Sequence, residues 1–187
     1  MSILISVRPV ESSSDVDCDN VATAIDVAFL EGDSWFKKEG CKHRCPNGGK
    51  DIKDLLCDKH GTFGTTFLLA QEGEDSSKVL GAVRVDWNAS GLGHFGMLGV
   101  PAANAGRGVG KALVAAAVQY LTEKKQTKLE MPVVATKNER LVQWYEKQQF
   151  QCIGELFPFP VPDIVLEEFQ GTIMMTKMSR ALTCMHS

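Results

Sequence analysis

Residues 3–10 alternate weakly between apolar and polar positions and are rich in β-branched side chains, the pattern of a strand with one buried face. Asp19 or Asn20 can then cap a helix whose apolar face is Val21, Ala24, Ile25, Ala28 and Phe29. Residues 31–49 lose periodicity and gather Gly32, Gly40, Pro46, Gly48 and Gly49, which predicts a long loop, and a short helix over 51–59 follows. Residues 65–70 and 79–87 are strand-like and flank a polar cluster at 72–77, so they predict an antiparallel hairpin, with a further strand at 94–100. From Val109 the apolar residues Ala112, Leu113, Ala116, Ala117, Tyr120 and Leu121 recur at helical spacing. A strand at 129–135, a helix capped by Asn138 and carrying Leu141, Trp144 and Tyr145, and strands at 150–157 and 171–178 complete the order β-α-α-β-β-β-α-β-α-β-β.

Composition narrows the classes this order could serve. The 187 residues suffice for one domain with its own core, and 44% hydrophobic with 23% charged residues is ordinary for a globular chain. A net charge of -3 lacks the basic excess that nucleic-acid binding requires, so no nucleic-acid partner is expected. The longest fully apolar stretch, residues 112–118, is far short of a bilayer span, and residues 1–10 lack the charged start of a secretory signal. Six scattered cysteines suit a reducing compartment, which with the other features predicts a cytoplasmic protein, the nucleus being the second compartment considered. Monomer and homodimer both stay open.

The passage from Met97 to Lys111 runs from a strand into a helix N-terminus, where the first N–H groups lack intrahelical acceptors and the helix dipole favours an anion. Gly106, Gly108 and Gly110 would let backbone approach a pyrophosphate, and Arg107 and Lys111 add positive charge. A tight ligand-free turn explains the glycines alone equally well. A P-loop does not fit, because Ala105 occupies its first glycine position and Ala112 follows the lysine in place of Ser or Thr. Gly91, Gly93 and Gly96 satisfy the bare dinucleotide pattern but lead into a strand and open no helix.

Ala105-Gly-Arg-Gly-Val-Gly110 after Met97-Leu-Gly-Val100, followed by an Asn138 helix with Trp144-Tyr145 and then Phe150, resembles the GNAT superfamily, the Gcn5-related N-acetyltransferases. The likeness runs over about residues 3–178 and implies an α/β (α+β) fold, a mixed, mostly antiparallel sheet of six to seven strands flanked by four helices. It implies acetyl-coenzyme A as acyl donor, held by Leu98, Gly99, Val100, Gly106, Arg107, Gly108, Val109, Gly110, Lys111, Asn138 and Tyr145. It implies direct attack of an amine on the thioester, the oxyanion held by a strand N–H, at Val100, and Tyr145 protonating the departing thiolate. Read without the resemblance, Tyr145 is more often a core aromatic, sharing one face with Leu141 and Trp144, and Asn138 is equally a helix cap.

Ala105 stands where the family has Gln or Arg, which removes one side-chain contact to the phosphates. Gln149 stands where the family has Gly before Phe150, which predicts a helix that ends without a left-handed cap. Asp86, His94 and Glu130 lie on or beside the central strands as candidate bases acting through water, each more often a solvated or hydrogen-bonded strand residue. The region between the first two helices shapes the acceptor pocket in the family, so Trp35, Phe36 and Arg44 are assigned to the acceptor, with loop packing as the alternative. Cys41, His43, Cys45, Cys57 and His60 could ligate zinc, but their spacing lacks tight C-x-x-C pairs and no metal is expected. A small-molecule primary amine is the expected acceptor, with a peptide or protein amine second and a non-catalytic coenzyme A sensor as the reading from another class.

Overall fold

The computed structural model describes residues 4–32, 35–37, 44–58, 63–73, 75–136 and 139–183. Among the described residues eleven helices and strands follow the predicted order: β1 Ile5–Pro9, α1 Asp15–Gly32, α2 Gly49–Cys57, β2 Phe63–Glu72, β3 Asp75–Asn88, β4 Leu92–Gly99, α3 Val109–Glu123, β5 Lys128–Val134, α4 Glu139–Glu146, β6 Gln151–Pro158 and β7 Met174–Ala181. The seven strands form one sheet in the order β1-β2-β3-β4-β5-β7-β6, antiparallel throughout except where β4 meets β5. Among the described residues this is the mixed, mostly antiparallel sheet with four helices that the family resemblance implies. Among the described residues, no helix is long and apolar enough to cross a membrane.

Each face of the sheet is covered because each helix has one apolar stripe. Val109, Leu113, Val114, Ala117 and Leu121 of α3 pack with Tyr145 and Phe150 against Val83, Val85, Phe95, Leu129 and Met131. On the opposite face Val21, Ala22 and Ile25 of α1 and Ile52 of α2 cover Phe67, Leu69 and Ala82. A smaller cluster of Trp35, Phe36, Val165 and Ile173 lies at one end. Within it, Leu166 N–H donates to Trp35 O at 3.0 Å and Lys37 N–H to Ile164 O at 2.9 Å, so the chain after α1 is fastened to the connection between β6 and β7.

Helix α1 starts at Asp15, earlier than the Asp19 or Asn20 cap expected. Ser14 is the cap: its Oγ accepts from the Asp17 N–H at 3.2 Å, satisfying one of the four donors that a helix start leaves open. Asp17 then accepts a bidentate pair from Arg8 at 2.7 and 2.8 Å, while Arg8 Nε donates to Gln71 at 2.9 Å. One guanidinium therefore joins β1, α1 and β2. The Arg8 hydrogen bonds hold the Asp17 carboxyl below the usual carboxylate range against the opposing effect of burial.

The end of α4 corrects a second expectation. Gln149 adopts φ +67°, so the helix does close through a left-handed residue although no glycine stands there. Phe150 N–H returns to Tyr145 O at 3.2 Å, and Phe150 enters the core beside Phe95 and Tyr145. Burial of the Phe150 ring outweighs the conformational cost of an L-residue there, roughly 1–2 kcal/mol.

Two stability measurements follow. Gln149→Gly should stabilise the protein by about 1 kcal/mol in urea unfolding, because the strain disappears while the cap stays. Asp17→Asn should destabilise it by about 1–2 kcal/mol at neutral pH, a value reduced for the partial exposure of Arg8. Since the folded Asp17 pKa is depressed, its contribution is complete above the unfolded value near 4 and is lost as pH falls through the lower folded value. The gap between wild type and Asp17→Asn should therefore close in acid.

Candidate functional site

The parallel contact between β4 and β5 is short. Leu92, Gly93 and His94 of β4 align with Lys128, Leu129 and Glu130 of β5, and beyond this point no pairing joins the two strands. From Phe95 and Met131 onward they diverge. Opposite β4, Arg84 aligns with Gly96 and Ala82 with Gly99, so Met97 and Leu98 together face Val83 in a β-bulge. Met97 takes φ +51°, rare for a non-glycine residue, and the sequence carries no signal for it. The bulge bends β4 away from β5 and turns Met97 and Leu98 into the gap.

That gap is a cleft of about 430 Å³, lined by Phe95 to Leu98 of β4, Met131 to Val134 of β5, Leu141 and Tyr145 of α4, and Phe29, Trp35, Arg44, Phe159 and Met175. A second groove of about 690 Å³ follows the glycine-rich turn and is lined by Leu98, Val100, Asn104 to Gly106, Gly108 to Lys111, Arg140, Leu141 and Trp144, with Ala28, Phe29 and Gly32 of α1. Phe29, Leu98 and Leu141 border both, so the openings adjoin across them.

The turn itself is built for backbone donors. Gly106 at φ +72° and Gly108 at φ +89° hold left-handed conformations, and Gly108 caps α3 without any side-chain hydrogen bond. The first backbone bond of the helix runs from Ala112 N–H to Gly108 O at 3.0 Å. Among the described residues, the N–H groups of 106–111 donate to no protein acceptor. Six unpartnered donors at a helix start suit a pyrophosphate. The loop ahead is pinned by Glu31, which accepts from Ala102 N–H at 2.7 Å, and by Asn104, whose Nδ2 donates to Leu80 O at 3.1 Å.

The structure separates the two cations the sequence brings to this turn. Arg107 donates to Asn104 Oδ1 at 2.9 Å and lies 3.4 Å from Glu72, so its charge is partly engaged within the protein. Lys111 lines the groove, and so does Arg140, which sequence reasoning missed. Gly110 packs against the Trp144 ring, where an added Cβ would lie 3.3 Å from it. Gly99 belongs to β4 and does not line the groove; a Cβ there would meet the α1 backbone at 2.8 Å. Asn138 lies outside the described residues.

Tyr145 is buried, packed on Trp144, Phe95 and Phe150, and still reaches the cleft wall. Its hydroxyl makes no hydrogen bond among the described residues, and burial pushes the phenol well above its ordinary pKa. The core-aromatic and cleft readings of Tyr145 therefore both describe its position. The three candidate bases stand side by side in register, Asp86 beside His94 and His94 beside Glu130, but none lines the cleft. Asp86 is engaged by Thr65 at 2.6 Å and Arg84 at 2.9 Å. Lys128 lies 2.5 Å and Lys177 3.6 Å from Glu130, and the Lys128 hydrogen bond, with the surrounding cations, holds that carboxyl below the usual range despite burial.

Of the acceptor residues, Trp35 and Arg44 line the cleft, whereas Phe36 backs Trp35, with ring centroids 3.8 Å apart. Among the described residues no three His, Cys, Asp or Glu side chains cluster as for a metal. Cys45 is buried with its thiol pushed up to about 12, mainly by desolvation, and Cys57 is exposed; Cys41, His43 and His60 lie outside the described residues.

A family model described as acetyltransferase (GNAT) family matches residues 33–150, which include the bulged strand, the glycine turn and α4. The chain belongs to the GNAT family. Solved structures share this fold at low identity. A GNAT-family acetyltransferase from Streptococcus pneumoniae superposes with TM-score 0.70 at 17% identity, covering 96% of this chain and 100% of its own. A GCN5-related N-acetyltransferase from Kribbella flavida gives 0.68 at 20%, covering 95% and 98%. The ribosomal-protein-S18-alanine N-acetyltransferase of Escherichia coli gives 0.64 at 13%, covering 96% and 95%. No curated protein matches.

The turn generates a binding prediction. Gly108→Asp should weaken coenzyme A binding at least tenfold, combining roughly 1–3 kcal/mol of backbone strain with like-charge repulsion. Gly108→Ala separates the strain from the charge, and Ala105→Gln should bind equally or more tightly. Isothermal titration with coenzyme A measures all three.

Proposed function

We propose that this GNAT protein transfers the acetyl group of acetyl-coenzyme A to a small primary amine by direct attack on the thioester. The observation that carries the proposal is the adjacency of two openings: a donor-rich turn groove suited to a pyrophosphate, and an apolar cleft in the splayed sheet with Tyr145 in its wall. Phe29, Leu98 and Leu141 border both, which suits an acyl arm passing from one to the other.

An ammonium with pKa near 10.4 must shed a proton before attack, at a cost of about 4–5 kcal/mol at pH 7. An apolar cleft reduces this cost by disfavouring the charged form. The amine nitrogen then attacks the carbonyl carbon and the C–N bond forms. The β4 backbone at the bulge and at Val100 would supply the N–H that steadies the oxyanion. As the intermediate collapses the C–S bond breaks, the thiolate takes the Tyr145 proton, and the nitrogen releases its second proton to solvent. Burial keeps the Tyr145 phenol protonated and makes it a weaker acid, so its proton moves only as the C–S bond breaks, and the phenolate then regains a proton from solvent. Asp86 and Glu130 are engaged in ion pairs away from the cleft, so direct loss of the amine protons to water fits this arrangement better than a side-chain base.

Thiol release from acetyl-coenzyme A, followed across a panel of amines, tests the function, and coenzyme A binding without release on any amine would refute it. Tyr145→Phe should lower kcat about 100-fold with little change in the KM for acetyl-coenzyme A. An unchanged kcat would remove Tyr145 from the mechanism and leave it a core aromatic.

A further inference from the structure

The two openings differ in what lines them. The turn groove carries backbone donors and cations, whereas the cleft is walled by the rings of Phe29, Trp35 and Phe159 and by the thioethers of Met97, Met131 and Met175. Phe29 borders the groove as well; Trp35 and Phe159 line the cleft alone and so belong to the part of it that the groove does not share. That part is fixed by backbone bonds. Leu166 N–H donates to Trp35 O and Phe159 N–H to Ile173 O, both at 3.0 Å, and Phe36 bridges to Val165. The Trp35 and Phe159 rings meet edge to face with centroids 5.3 Å apart, which holds each ring against the other. The methionines supply an adaptable apolar surface that packs on aliphatic and aromatic groups alike. Arg44, a charged residue of this wall, lies with its guanidinium on the Phe29 ring and holds a further interaction within the protein, so the surface offered to an acceptor is the apolar one. Such a surface selects by desolvation. A methylene gains on leaving water for it, while a hydroxyl or a second ammonium loses its hydration there.

We propose that the acceptor is an apolar monoamine, a primary amine whose aliphatic or aromatic tail rests on Trp35, Phe159 and the methionines while its nitrogen faces the junction of cleft and groove at Phe29, Leu98 and Leu141. This rests on the acetyltransferase reading above and names its substrate class. The tail contributes to the chemistry as well as to the fit. Filling the cleft with hydrocarbon excludes water from the nitrogen and lowers the cost of the neutral form that attacks the thioester. A diamine of the same length would have to bury its second ammonium against these walls, which selects against polyamines.

The test follows thiol release with the n-alkylamines from propylamine to hexylamine, which share nearly the same basicity and differ in buried hydrocarbon. Their kcat/KM should rise roughly fourfold per methylene, the equivalent of about 0.8 kcal/mol each. Hexylamine should exceed aminohexanol and hexamethylenediamine, of equal length, by at least about 10-fold, and phenethylamine should be turned over at least as well as butylamine. Phe159→Ala should flatten the series by raising the KM for hexylamine more than that for propylamine. N-acetylhexylamine should raise the melting temperature of the coenzyme A complex more than N-acetylethanolamine does, a readout independent of turnover. A flat series in the wild type, equal turnover of hexylamine and hexamethylenediamine, or a series unchanged by Phe159→Ala overturns the proposal and leaves the acetyltransferase reading standing. No release from any amine overturns both.

Discussion

Three aligned residue pairs between β4 and β5 are the constraint on which the rest of the structure depends. Had the parallel contact continued, the sheet would be closed along its centre and there would be no cleft. It stops because β4 is committed elsewhere: the bulge at Met97 and Leu98 redirects the strand along β3, while β5 stays paired with β7 over its whole length. Phe95, Tyr145 and Phe150 fill the wedge from below. The apolar packing that stabilises the core thereby also holds the two halves of the sheet apart at the site.

Four backbone positions translate this constraint into chemistry. Met97, Gly106, Gly108 and Gln149 all hold positive φ, the first within the bulge of β4 and the others in the turns that open α3 and close α4. At Gly106 and Gly108 the residue type matches the conformation, so the strain of the turn that opens α3 is small. At Met97 and Gln149 an L-side chain adopts the same conformation at some cost, and the surrounding packing keeps it there. The first of these opens the cleft and the second returns Phe150 beneath Tyr145.

Element order was legible because strands and helices announce themselves through periodicity, and the glycine turn through its strand-before, helix-after setting. The start of α1 was in the sequence too, since Ser14 and Asp17 stand three apart as a cap and its partner, but the apolar stripe beginning at Val21 masked it. The bulge at Met97 was not legible. It arises from competition between β3 and β5 for one strand, and neither the type of residue 97 nor its neighbours reports that competition. The same limit applies to Arg140 and Phe159, which reach the two openings through tertiary packing, and to Phe36, whose aromatic character predicts burial or contact equally well. The end of α4 shows the converse, for there local propensity pointed the wrong way and the burial of one aromatic ring prevailed.

The distribution of charge then follows from the fold. The row of Asp86, His94 and Glu130 crosses the sheet where the strands are still paired, and Arg84 and Lys128 on the same strands, with Lys177 of β7, compensate its carboxylates. Such a row is stable because it is compensated, and for the same reason it makes a weak base: a carboxylate held below its usual range gains little by accepting a proton. Lys111 and Arg140 have a different setting, lining the groove of a donor-rich turn. On the acetyltransferase reading proposed above, an anionic donor would anchor at the rim of that groove, and the apolar gap between β4 and β5 would be left for the neutral amine and the thioester, the two groups whose reaction charge and water would slow.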